Sequence, residues 1–133
     1  DPIQAAVLRV KLGVLDEWTE RRRAVASAYT VGLAECGLIL PHVPEWAEPA
    51  WHLYVVRTSD RDALQGRITK AGIGTLIHYP IPPHMQKAYA DMEILPDAFP
   101  LARDLASEVL SLPMGPQLDL NQVQDIVNAL KNT

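Results

Sequence analysis

Prolines decide where this chain can be regular. Three stand close together, Pro80, Pro82 and Pro83, inside the stretch YPIPPHMQKAYA at 79–90. Each fixes its own φ and lacks a backbone donor, so neither a strand ladder nor a helix interior passes through them. Pro41, Pro44 and Pro49 predict a second irregular connection over 41–50, and Pro113 and Pro116 close a third segment. Regular structure is confined to the pieces between.

The first piece is helical. Asp1 can cap, Pro2 suits the first helical position, and Gln4 stands at the capping-box position. Ile3, Val7, Val10, Val14, Trp18, Val25, Ala28, Tyr29 and Gly32 fall on one helical face. They predict one long helix or a kinked pair over 2–36, with Gly13 at the kink and Gly37 as the stop. Ala5, Leu8, Leu12 and Leu15 form a second apolar face roughly opposite the first. A surface helix needs only one. Either a partner chain or neighbouring domain covers residues 5–15, or the domain itself buries both sides.

The remaining pieces alternate. Leu38 to Leu40 reads as a brief edge strand and WHLYVVRT at 51–58 as the best strand. Ser59 or Asp60 then caps a helix with Leu64, Ile68 and Ala71 inward, ended by Gly72. IGTLIH at 73–78 reads as another strand. A helix from Asp97 turns Leu101, Ala102 and Leu105 inward, and 109–112 is a further strand. In the last helix, Leu118 and Val123 can staple around an Asp119 cap with Gln122 at the capping-box position. Its buried face is Val123, Ile126, Val127 and Leu130. The order predicts one α+β domain over 1–133: a small, mostly antiparallel three- to four-stranded sheet covered by helices, with a long N-terminal helix.

Composition removes several function classes. A formal charge of -4 argues against nucleic acid as a partner. No apolar run approaches the roughly eighteen residues of a membrane span, and the first residues lack the order of a signal peptide, so a cytoplasmic address is expected. The single cysteine, Cys36, excludes an internal disulfide framework and reads as structural. His42, His52, His78 and His84 show no metal-ligand spacing, so no metal is expected. No phosphate-binding glycine motif occurs, and Gly72-Ile73-Gly74 reads as a helix stop before a strand. Arg21, on the apolar stripe, either binds an anion or lays its stem on the core and pairs with an acid. Arg22 and Arg23 read as solvated. The most unusual stretch is His78-Tyr79-Pro80-Ile81-Pro82-Pro83-His84, two imidazoles and a phenol on a stiffened loop leaving a strand. Rigid loops on a scaffold are where binding residues concentrate.

Five segments carry a resemblance: QAAVLRVKLGVLDEW with the arginines at 21–23, WHLYVVR at 51–57, GIGTLIHYPIPPHMQKAY at 72–89, and LSLPMGPQL at 110–118. In this order they resemble the C-terminal small domain of the DegT family of sugar aminotransferases, over almost the whole chain. The resemblance implies an aspartate-aminotransferase fold, pyridoxal phosphate as cofactor, and a nucleotide-linked sugar as substrate. It also implies that the Schiff-base lysine lies in a large domain upstream. Lys11, Lys70, Lys87 and Lys131 match no such motif, so this chain is expected to hold no cofactor, to carry no catalytic residue and to be inactive alone. Carried onto matching positions, His78, Tyr79 and His84 are the expected substrate contacts. The expected partners are a second copy in a homodimer or the large cofactor domain. The alternative is a free-standing oligomerisation or interaction module that reuses this fold.

Overall fold

The computed structural model describes residues 1–131. The apolar stripe forms two helices rather than one, α1 (Pro2–Leu12) and α2 (Leu15–Gly32). The Asp1 side chain accepts from the Ile3 amide at 2.8 Å and caps the first. The interruption falls at Gly13 and Val14, where the expected kink becomes a break. α2 ends at Gly32, short of the predicted 36. Leu33 to Cys36 form a turn in which the Cys36 thiol donates to the Leu33 carbonyl, and Gly37 takes a φ of 76°, the left-handed conformation glycine tolerates best.

The sheet is smaller than expected. It has two antiparallel strands, β1 (Tyr54–Arg57) and β2 (Val109–Leu112), in the register Tyr54 to Leu112 and Arg57 to Val109. The two other predicted strands shrink to single bridges, Ile39 to Arg57 and Leu76 to Ser111, one on each outer edge. Pro41 stops the first from lengthening, and the turn into Tyr79-Pro80 stops the second. The strand predicted over 51–58 is shortened because Trp51 holds a φ of 53°, which no strand accommodates.

Between the strands lies α3 (Arg61–Lys70), followed by Gly72 at a φ of 81°. The proline stretch and the residues after it, up to α4, hold only 3₁₀ turns, at Pro83–Met85, Lys87–Met92 and Pro96–Ala98. The helix predicted from Asp97 begins properly at Pro100, as α4 (Pro100–Glu108). Its Leu101 points to solvent instead of inward, and so does Ala71 after α3. α5 (Leu120–Lys131) carries the expected capping box in both directions. Asp119 Oδ1 accepts from the Gln122 amide at 2.8 Å, and Gln122 Oε1 accepts from the Asp119 amide at 3.0 Å.

One core joins these elements. Val25, Tyr29 and Leu33 of α2 and its following turn meet Tyr54 and Val56 of β1, Leu110 and Leu112 of β2, Leu64 and Ile68 of α3, and Val123, Ile126, Val127 and Leu130 of α5. Tyr29 and Tyr54 pack with ring centroids 5.0 Å apart. Tyr29 donates to the Pro113 carbonyl at 2.8 Å, and the Tyr54 hydroxyl pairs with Thr30 at 2.9 Å. α1 contributes nothing to this core: none of its residues is buried.

Candidate functional site

The loop that leaves the Leu76 bridge builds the site. The Leu76 and Ser111 backbones exchange two hydrogen bonds, at 2.8 and 3.3 Å, and these fix the chain beside β2. Two residues later, His78 Nδ1 lies 2.8 Å from the buried Ser111 Oγ. Tyr79 follows through a cis peptide, with its ring edge-on to the His78 imidazole at 5.5 Å. It is 73% exposed. His78, Tyr79, Ile81, Pro82, Pro83 and Gln86 form one wall of a cleft of about 300 Å³. Ala102, Leu105 and Ala106 of α4, with Val109 of β2, form the other.

His78 and Tyr79 are therefore brought together, while His84 is placed elsewhere. Its Nε2 donates to the Pro96 carbonyl at 3.1 Å, and its ring meets Phe99 edge-on at 5.1 Å. It lines an adjoining depression with Met85, Tyr89 and Ile94, inside the loop's own framework. His52 and His42 are exposed and lie outside both concavities. Among the described residues no group of three or more His, Cys, Asp or Glu side chains could hold a metal.

Arginines build much of the frame around the cleft, and the sequence reading reached few of their roles. Arg21 is exposed and pairs with Glu17 one turn away, so the expected pairing with an acid forms while the stem stays in solvent rather than on the core. Arg22, expected in solvent, is half-buried and donates to the Trp51 carbonyl at 3.0 Å, tying α2 to the residues before β1. Arg23 reaches the Pro49 carbonyl and Glu48 in the same connection, besides Glu20 on its own helix. Arg61 is 8% exposed and drew no attention in the sequence. Its Nη1 donates to the carbonyls of Ala106 and Val109 at 3.3 and 3.2 Å, fastening the end of α4 where the cleft wall sits. Arg57 and Glu108 form a half-buried ion pair at the same junction, with contacts of 2.7 and 3.1 Å to one carboxylate oxygen. These partners are 45 to 51 residues away in sequence, beyond the reach of any local pattern.

A pyridoxal cofactor does not fit the residues present. Lys11, Lys70, Lys87 and Lys131 are all exposed, and none lines the cleft. The cleft offers an imidazole, a phenol, an amide and apolar surface, with no amine to join an aldehyde.

Fold and site together define an α+β domain that carries a stiffened, ring-bearing loop over an apolar cleft, and whose described residues hold no cofactor-anchoring amine in that cleft. A profile of the DegT/DnrJ/EryC1/StrS aminotransferase family matches residues 1–131, and the chain belongs to that family. The erythromycin biosynthesis sensory transduction protein EryC1 of Saccharopolyspora erythraea is 49% identical over 132 residues, covering 98% of this chain and 36% of EryC1. The dTDP-3-amino-3,4,6-trideoxy-alpha-D-glucose transaminase of Streptomyces venezuelae is 43% identical, covering 98% of this chain and 35% of that enzyme. The crystal structure of S. venezuelae DesV with a ketimine intermediate superimposes with a TM-score of 0.93 at 43% identity, over 97% of this chain and 35% of DesV. The chain thus spans about a third of the length of these relatives. The family depends on pyridoxal phosphate, and solved neighbours carry it or its amine form.

Proposed function

We propose that this chain is the C-terminal small domain of a nucleotide-sugar aminotransferase. In this reading it closes the substrate site with its loop and contributes subunit contacts, while the cofactor is held by residues outside these 133. The observation that carries the reading is the cleft wall itself. A proline-fixed loop presents His78 and Tyr79 side by side on a family member whose relatives include a transaminase of a dTDP-linked sugar. His78 and Tyr79 contact the sugar nucleotide by hydrogen bonding and ring packing, and His84 contributes from the adjoining depression. None of the three transfers a catalytic proton. The side chains are pre-ordered, so little entropy is lost when a ligand is gripped.

The test is a graft. Residues 1–131 replace the matched third of the S. venezuelae transaminase, and kinetics are measured with its dTDP-sugar. Transamination by the graft, with KM raised about tenfold by combined His78→Ala and Tyr79→Phe and kcat little changed, is the expected result. An active graft whose KM ignores both substitutions removes the loop from the substrate site. The isolated chain mixed with pyridoxal phosphate gives no specific borohydride-reducible lysine adduct; one such adduct overturns the assignment of the cofactor to other residues.

A second reading draws on α1 and the first residue of α2. Ile3, Val7, Leu8, Val10, Leu12 and Leu15 are each at least half exposed. That surface suits an interaction or oligomerisation module as well as a domain that packs on another.

A further inference from the structure

We infer that Ser111 is a positioning residue: it locks His78 as the neutral tautomer that points an Nε2–H donor at an uncharged ligand oxygen in the cleft. The inference rests on the reading of the loop as a substrate wall and adds which atom makes the contact and what it grips.

Ser111 is the buried member of this pair. It sits in β2 at 4% exposure, so its hydroxyl proton must find a protein acceptor. Its backbone N–H and carbonyl are both taken by Leu76, while Val55 of β1 stands opposite it in the register. Among the described residues its Oγ has one hydrogen-bond partner, His78 Nδ1 at 2.8 Å. If Nδ1 were the donor, the Ser111 proton would be left without an acceptor inside the sheet. With the hydroxyl as donor, one bond satisfies the buried group. Nδ1 is then the unprotonated nitrogen and Nε2 carries the proton. Nε2 has no hydrogen-bond partner among the described residues, and His78 is one of the residues that line the cleft.

The rest of the lining says what this donor meets. Besides His78 the polar side chains there are Tyr79 and Gln86, and no Lys or Arg is among the lining residues. A phosphate oxyanion is normally met by fixed positive charge. A wall of neutral donors over apolar surface suits a sugar hydroxyl or a carbonyl oxygen instead.

Long-range proton–nitrogen correlation spectra of the chain labelled with ¹⁵N-histidine test the tautomer directly. At a pH where the ring is neutral, His78 Nδ1 is expected as an unprotonated nitrogen and Nε2 as a protonated one, in a single form. Ser111→Ala shifts both resonances toward the average of exchanging tautomers, and Ser111→Thr, which keeps a hydroxyl, restores the single form. A wild-type Nδ1–H, or a Ser111→Ala spectrum identical to wild type, overturns the inference. In the grafted transaminase, Ser111→Ala is expected to raise KM for the dTDP-sugar about fivefold with kcat within about twofold, and Ser111→Thr to recover it. A locked tautomer together with an unmoved KM leaves the positioning intact and refutes the substrate contact, so the two failures are told apart.

Discussion

At the residue scale, the two core tyrosines show how burial turns a weak acid into a pH-sensitive support. Desolvation raises the Tyr29 phenol above the ordinary tyrosine value, with the Tyr54 phenol adding to it. Burial raises Tyr54 too, against an opposing hydrogen bond from Thr30. In the unfolded chain both ionise near pH 10. Above that pH the folded state binds more protons than the unfolded one, so stability falls as pH rises. The support is complete below about pH 10 and is withdrawn above it. Urea midpoints measured up the alkaline range are expected to decline past that point, and Tyr29→Phe to flatten the decline. At neutral pH the same substitution leaves the Pro113 carbonyl without its donor at a cost of about 1–2 kcal/mol. An alkaline slope unchanged in Tyr29→Phe would show that the titrating group is another one. Little of this is visible in the sequence. Tyr29 is recognisable there as a stripe residue, but its partner at Pro113 lies 84 residues away.

At the element scale, the informative contact is between α2 and α5. Gly32 is the last residue of α2, and a Cβ there would stand 2.9 Å from both methyl groups of Val127. Glycine allows the helices to approach this closely. Gly32→Ala is expected to destabilise by about 1–3 kcal/mol, despite alanine's better helix propensity, because the Val127 methyls belong to a packed core. Val127→Ala also destabilises, by lost burial, yet in the double variant the clash is gone and the two costs add to less than their sum. Strict additivity in thermal or urea unfolding would contradict the close approach. Local signals did well for these elements. The capping box at Asp119 and the four-residue apolar face of α5 were legible because each depends on residues within one or two turns. The strands expected at 38–40 and 73–78 shrink to single bridges because pairing is decided by partners. One of these segments meets Arg57 and the other Ser111, each at a single residue.

At the scale of the whole molecule, α1 carries apolar side chains that no other described element buries. Leu8 and Leu12 are 64% and 69% exposed, an arrangement water disfavours unless another surface covers it. The chain is expected to self-associate at high concentration in sedimentation velocity. Combined Leu8→Glu and Leu12→Glu should leave it monomeric, with little change in its unfolding midpoint, since these side chains touch no core. A monomer in both forms would refute the module reading. By itself the sequence determined that helices alternate with short strands, the caps at Asp1 and Asp119, and the positions where prolines forbid regular structure. All of these depend on residue types at short spacing, whereas no side-chain capping bond forms at the expected Ser59 or Asp60. The sequence carried, in its motifs, the resemblance to the family. It also marked the loop at 78–84. Only the tertiary structure decided that His78 is held by Ser111, that His84 turns into its own loop, that Arg61 pins the cleft wall, and that the sheet is two strands wide. Hydrogen bonds between distant segments are set by which surfaces the core brings together, and no local pattern of residues encodes that meeting.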